Sequence, residues 1–444
     1  WIADDSLILV LDTTASKQIL YWWGEDPDGE VVGYKYQWNY MPEPVFTTGE
    51  WDTFFVRIRK DFDIFTFRVW AIDDDGAVDP TPAIASFPVY NSPPTVEFRL
   101  GSIPDVPGGN PDVITYTFPT RTFVWDALDP DGNETITKIL WALDDTSNWN
   151  ELPGNQSELT CTDLDTGYHT FYLKAVDIAG AHSSVISFPD TTDKDHPNFW
   201  YVKPVQGDIL LVNDYAQDQN TLQVQKFYES ILMDLVGADG YSIWQIGSDR
   251  TPVINPQNAL PYSPIDIQAN LSYFDKVIWF SHLGRPNISE AGLAITKFVA
   301  LGGDIFISNG NEERPDTTWT FVNIDSVFRL NPGGRLLPGF DIYANLDPDS
   351  SVNASLKMEV ELLIGNRVSA LIPGFTDSVV FMMEDADTSS FNNVPYPGHP
   401  AVGVMHQIQG GGKAIYFSLP LHHLNARGNV RDVLEYILFT EFEE

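Results

Sequence analysis

The chain is short of cysteine, short of positive charge and without any long apolar run. One cysteine in 444 residues, Cys161, excludes an intramolecular disulfide and any zinc or iron–sulfur centre built from several thiolates of this chain. Lys and Arg number 25 against 62 Asp and Glu, for a formal net charge of −37. A surface of that sign repels phosphate backbones and anionic lipid, which excludes nucleic acid and acidic membrane surfaces as general partners. No stretch approaches the ~18 apolar residues of a transmembrane helix. The chain opens at Trp1 rather than Met, with little sequence before the Trp22-Trp23 strand, so truncation or processing at that end is expected.

What is present suffices for packed cores, with 43% hydrophobic and 13% aromatic residues. The acidity is spread along the chain: residues 1–203 carry 33 acids and 12 bases (33 − 12 = 21 excess acids), residues 204–444 carry 29 and 13 (16). The charges alternate with Trp, Tyr, Val and Ile, so neither part is an acidic tail. A nearly cysteine-free chain also fits export to an oxidising compartment.

A repeat organises the first half. Trp22-Trp23-Gly24-Glu25-Asp26-Pro27-Asp28-Gly29 recurs as Trp125-Asp126-Ala127-Leu128-Asp129-Pro130-Asp131-Gly132, and the Thr66–Asp73 block recurs as Thr170–Asp177. The offsets, 129 − 26 = 103 and 177 − 73 = 104, define tandem copies. Within each copy short β-branched and aromatic runs alternate, as in Val31–Trp38 and Phe54–Ile58, between Gly, Pro, Asp and Asn breaks. That is the pattern of an all-β sandwich. Asn91-Ser92-Pro93-Pro94 ends the first copy as a joint, since proline cannot continue a ladder. These blocks, with Gly76 and Gly180 following, resemble immunoglobulin-like modules of the fibronectin type III and PKD kind. The resemblance implies two all-β immunoglobulin-like sandwiches, at 1–92 and 93–203, on a bacterial surface or secreted protein.

Beyond Lys203 the period changes. Short buried strands at Gly207–Asn213, Tyr241–Ile246, Lys276–Phe280 and Asp304–Ser308 alternate with helical patterns at Thr221–Leu235 and Ser289–Leu301, the latter with Ser289 as N-cap and Gly302-Gly303 as its stop. Ala401–Gln407 and Ala414–Leu419 read as an antiparallel hairpin around Gly410-Gly411-Gly412, and Val430–Phe439 as a closing helix. The order predicts one α/β domain at 204–444 with a mostly parallel sheet. Residues 274–284, 297–310 and 410–423 resemble the flavodoxin-like domain of class I glutamine amidotransferases and their ThuA-like relatives. In that family a cysteine stands on the turn after the fourth strand. Here Ser308 occupies that turn and Cys161 lies in the β half, so the resemblance implies a degenerate, non-catalytic member.

A serine-type hydrolase is the enzymatic alternative, with Ser308, His422 and Asp214 or Glu312 as its triad and a pocket at the strand C-termini. The bland reading makes Ser308-Asn309-Gly310 a chain reversal and His422-His423 a surface loop. The eight histidines contain no HExxH, which argues against a zinc enzyme. Ten of thirteen tryptophans lie in residues 1–203, either as sandwich core or as exposed rings that stack on sugars, so glycans are a second class of partner.

The acidic loops carry the metal expectation. Asp26 and Asp28 with Asp73 and Asp75 in the first copy, and Asp129 and Asp131 with Asp177 in the second, recur in register. Two such turns at one end of a sandwich could converge on one calcium ion, which wants six to eight oxygen ligands. The second copy has Ala179 where the first has Asp75, so the first is expected to be the better site; the same residues also serve as solvated turns. The combined reading is a non-catalytic, extracellular structural or adhesive protein that meets protein partners, or further copies of itself, on the cell surface.

Overall fold

A computed structural model of the chain describes residues 16–56, 58–99, 114–190, 199–215, 221–246, 264–281, 288–310, 320–330, 335–365, 368–384, 388–389 and 399–443. The chain gathers into two compact units, Trp1–Arg99 with Val124–Leu159 and Thr170–Asp190, and Leu100–Phe123 with Thr160–His169 and Thr191–Glu444.

In the first unit the repeat folds twice by one rule. Val31–Trp38 and Phe62–Asp73 pair antiparallel, flanked by Val45–Thr47 and Ala83–Tyr90; Ile136–Leu143 and Phe171–Asp177 pair likewise, flanked by Asn150–Pro153 and Ile186–Phe188. Both central pairs slip register at one place, between Val31 and Gly33 and between Ile136 and Lys138. Alternation decides the faces: Tyr34, Trp38, Phe65, Phe67, Val69 and Val89 close on Trp22 in the first copy. Trp125, Ile139, Phe171, Leu173 and Phe188 are buried in the second. Each such side chain contributes ~1.5–3 kcal/mol by leaving water.

A two-stranded antiparallel sheet, Lys17–Tyr21 with Trp51–Phe55, belongs to the first copy. The strand expected over Phe54–Ile58 thus lies earlier in the chain. Its register is set by Trp51 opposite Tyr21, whereas Val56 and Ile58 leave the ladder and plug the core, fully buried.

The second unit is built on a nine-stranded sheet. Its order is Tyr241–Gln245, Ile209–Asp214, Lys276–Ser281, Asp304–Asn309, Lys413–Phe417, Ala401–Gln407, Ser378–Met383, Asp341–Ala344, Met358–Glu359. The first five run parallel and the remaining pairings are antiparallel. Consecutive residues of the parallel strands serve opposite cores. Ile209, Leu211, Ile278, Phe280 and Phe306 face one; Leu210, Val212, Val277, Trp279, Ile305 and Ile307 face the other. Such continuous apolar runs are what a sheet covered on both sides requires. Helices Thr221–Val236, Pro264–Leu271, Ile288–Ala300 and Val430–Phe439 supply helical cover. The expectation of a mostly parallel sheet is corrected here to a mixed one. Its antiparallel half comes from Ala401–Gln407, expected as one arm of the hairpin, and from the 341–383 stretch, where the helix Ser350–Ser355 is too short for a crossover between parallel strands.

The Gly-Gly of the Ile288–Ala300 helix end has two separate reasons. Gly302 takes φ +103°, a left-handed conformation that ends the helix. A Cβ on Gly303 would stand 2.2 Å from the Phe298 ring. Gly412 N–H donates to the Val299 carbonyl at 2.7 Å, bringing the glycine run of the hairpin against this same corner.

Candidate functional site

Two places gather polar residues that packing alone does not require. The first is the C-terminal edge of the parallel strands in the second unit. Asn213, Asp214, Ser281, Ser308 and Asn309 end these strands and are all buried. Asn213 Nδ2 donates to Gln225 Oε1 (2.8 Å), Gln245 Nε2 to the same oxygen (2.7 Å), and Gln225 Nε2 to Glu229 (2.8 Å). Ser281 Oγ donates to Asn309 Oδ1 (2.9 Å), and Asn309 Nδ2 to the Tyr416 hydroxyl (3.1 Å). The Ser308 hydroxyl donates to the Leu419 carbonyl and accepts from Leu421 N–H, both at 2.9 Å, with Tyr228 Oη at 3.4 Å. It ties the strand to the chain leaving the neighbouring strand. Asp214 accepts from the Trp279 indole (3.1 Å), and His422 packs edge-on against Tyr215, Phe227, Tyr228 and His423. Burial holds His423 below the ordinary histidine range, opposed by contacts to the Leu363 and Leu362 backbone. Glu312 lies outside the described residues.

A cleft of about 450 Å³ in the same unit is lined by Tyr116, Tyr201, Lys203, Gln225, Trp244 and Gln245, among others. Lys203 reaches the Ile243 carbonyl, and burial lowers its ammonium to about 8. Cys161 is inert by contrast: burial, and then the charge of Asp266, raise its thiol to about 12, far from thiolate reactivity.

The second place is the acidic turns of the first unit. In both copies the Asp-Pro-Asp-Gly turn caps itself, Asp28 N–H donating to Asp26 Oδ1 (3.3 Å) and Asp131 N–H to Asp129 Oδ1 (2.8 Å). In both, the later aspartate holds the following turn, Asp73 accepting from Ala77 N–H (2.7 Å) and Asp177 from Ala181 N–H (2.8 Å). Gly76 and Gly180 stand at φ +81° and +94° in those turns.

The environments then diverge. Asp26 is half-buried and Asp28 and Asp75 are exposed, and it is Asp74 that bridges the two loops by accepting from Glu30 N–H at 3.3 Å. Asp129, Asp131 and Asp177 are 7%, 2% and 2% exposed. Asp131 accepts from Ser92 N–H (2.6 Å) and from Ser16 N–H (3.4 Å), and Asp177 from Asn91 Nδ2 (2.6 Å). The copy expected to be poorer is therefore the more enclosed one. Burial, then repulsion from Asp131 and Asp177, raises the Asp129 carboxyl above its ordinary value, opposed by its hydrogen bonds. Among the described residues, no group of three His, Cys, Asp or Glu side chains is placed to hold a metal ion.

Sequence reasoning missed Ser16 altogether and took Asn91 and Ser92 only as the joint. The available signal was Asn-Ser immediately before Pro-Pro, two donors on a segment that has no ladder of its own to satisfy them.

No protein-family model matches the chain, and no curated protein matches it. Among solved structures it is similar to the fibronectin(III)-like modules of Clostridium thermocellum CbhA, at 14% identity over 43% of this chain and 88% of that one, TM-score 0.19. It is similar to the FN1–FN3 domains of chicken CNTN1, at 10% identity over 45% of this chain and 66% of that one, TM-score 0.19. The extracellular domain of BT4673 from B. thetaiotaomicron is a third, at 12% identity over 33% of this chain and 25% of that one, TM-score 0.18. Scores this low leave the fold to be read from the chain's own topology.

Proposed function

We propose that the protein is a non-catalytic, extracellular structural or adhesive component, whose first module docks onto a protein partner or a further copy in a surface assembly. The carrying observation is the outward face of the sheet Lys17–Tyr21 with Trp51–Phe55. Ile19, Tyr21, Trp51 and Phe55 are 50%, 70%, 59% and 50% exposed, and the rings of Tyr21 and Trp51 stack with centroids 6.2 Å apart. Trp23 adds another exposed ring just beyond the strand. Scattered exposed apolar residues are ordinary, but a contiguous aromatic face is the composition of an interface centre. The α/β domain is read as a degenerate amidotransferase-like fold serving the same assembly. The commitment of the Ser308 hydroxyl to backbone partners supports that reading.

Replacing Tyr21, Trp51 and Phe55 together by Ser tests the face, since these side chains lie outside the core and the variant should fold. Its association, followed by light scattering over a concentration series, should fall at least tenfold below that of the wild type. Equal association would overturn the proposal. The aromatic and amide lining of the 450 Å³ cleft favours a second reading, a glycan site. Retention on immobilised polysaccharide that Tyr201→Ala abolishes is the result that would favour it.

A further inference from the structure

We propose that the cleft lined by Tyr116, Tyr201 and Lys203 takes an acidic glycan, with Lys203 holding a sugar carboxylate and a row of tyrosines carrying the sugar rings. The inference rests on the glycan reading of this cleft and is independent of the docking face.

Strand register builds the row. Gly167–His169, Phe199–Val202 and Ile114–Thr117 form one three-stranded sheet of the second unit, with Phe199–Val202 at its centre. Tyr168 stands directly opposite Tyr201, and Tyr201 directly opposite Tyr116. The ring centroids of these two pairs lie 5.0 Å and 6.0 Å apart. Alternation sends Trp200 and Val202 to the other face, where both are fully buried. Tyr168 is 62% exposed, whereas Tyr201 and Tyr116 line the cleft, so the row leads from open surface to the cleft.

Lys203 continues this face two residues beyond Tyr201. Its N–H donates to the Thr117 carbonyl at 2.7 Å, which extends the ladder by one step. Its ammonium meets the Ile243 carbonyl and stands 5.6 Å from the centre of the Phe118 ring. Among the described residues no Asp or Glu pairs with it. Lys276, Lys357 and Lys413 of the same unit each pair with a carboxylate. In a chain with 62 acids and 25 bases, an ammonium that lines a cleft without one inverts the local charge pattern. Burial lowers it to about 8, so it is still charged at neutral pH. A carboxylate brought by a ligand would offset that desolvation through a charge-assisted hydrogen bond.

The rest of the lining suits a sugar. Gln245 Nε2 donates to Gln225, and among the described residues no hydrogen bond takes the Gln245 amide oxygen, an acceptor for a sugar hydroxyl. The C–H face of a pyranose meets the negative face of an aromatic ring favourably. An acidic peptide would supply the carboxylate but no such face for a row of tyrosines. The excess of acid elsewhere repels an anionic chain and confines it to this cation.

The test is calorimetric titration of the full chain with oligomers of galacturonate, glucuronate and mannuronate, each beside its carboxyl-reduced neutral counterpart. At least one acidic oligomer should bind at least tenfold more tightly than its counterpart. Lys203→Gln should bring the acidic oligomer down to the neutral one's affinity while leaving the neutral one's affinity and the melting temperature unchanged. Tyr201→Ala should weaken both. Equal affinity for acidic and neutral oligomers would overturn the inference and leave the glycan reading standing, whereas no binding of any oligomer would overturn both. A preference that survives Lys203→Gln, or poly-glutamate binding as tightly as the best uronate, would also overturn it. The wild-type comparison decides the matter even where the variant loses stability.

Discussion

Individual buried charges in the second unit set its pH response. Arg121 and Asp266 stand 3.9 Å apart with side chains 5% and 0% exposed, and Asp266 accepts from Thr122 N–H at 3.0 Å. Burial raises the Asp266 carboxyl to about 6, with Arg121 pulling against it, and burial lowers the Arg121 guanidinium. An unfolded carboxyl titrates near ~3.9, so between that pH and about 6 the unfolded chain releases its proton first. The Asp266 contribution is thus full below the unfolded value, falls as pH rises, and levels above about 6. The difference in melting temperature between wild type and Asp266→Asn, measured from pH 4 to 7, should show that slope; a flat difference would contradict the raised carboxyl. Removing the other partner is harsher. Arg121→Met leaves a buried carboxylate uncompensated and should cost ~3–5 kcal/mol in the calorimetric transition of this unit. A cost below ~1 kcal/mol, the worth of an exposed pair, would mean that water reaches the pair.

Among the elements, the helix Ile288–Ala300 and the strand Asp304–Asn309 depend on one close approach. Gly303→Ala would drive a methyl into the Phe298 ring, 2.2 Å from the new carbon, with no room to retreat since Gly412 lies against the Gly303 carbonyl. Overpacking of this kind costs ~1–3 kcal/mol. Gly365→Ala, where nothing lies within 4 Å of the new carbon, should change denaturant stability by well under that. Equal effects would show that the corner yields.

This helix, the strands on either side of it and the closing helix Val430–Phe439 were legible in the sequence, because long apolar runs and 3.6-residue spacing are local signals. The repeat was legible for the same reason: Trp22 and Trp125, or Asp73 and Asp177, are matched in sequence and then in hydrogen bonds. What was illegible is non-local. Nothing near Asp131 or Asp177 in sequence shows that Ser16 N–H and Asn91 Nδ2 will donate to them, and nothing near Asp26 shows that Asp74 rather than Asp75 will bridge its loop. The antiparallel strands of 341–383 are short, and although Pro338-Gly339, Asp347-Pro348-Asp349 and Pro373-Gly374 mark turns around them, turns do not say which edge a strand joins, so their pairing follows from the sheet itself.

At the scale of the whole molecule, a net charge of −37 opposes contact between copies, while the aromatic face of the first module favours it. The balance has a testable sign. Raising monovalent salt from ~20 to ~200 mM shortens the Debye length from about 20 Å to about 7 Å, so copies that repel by charge and adhere by apolar surface should associate more strongly. Weaker association with salt would mean that ion pairs, not rings, hold the contact. The measurement that bears most directly on the central claim is hydroxyl-radical footprinting of the assembled material against the dilute monomer. Tyr21, Trp23 and Trp51 should be protected on assembly, while Tyr168 and Phe375, which are also exposed, stay reactive. Unchanged reactivity at Tyr21 and Trp51 in material that has assembled would contradict the account.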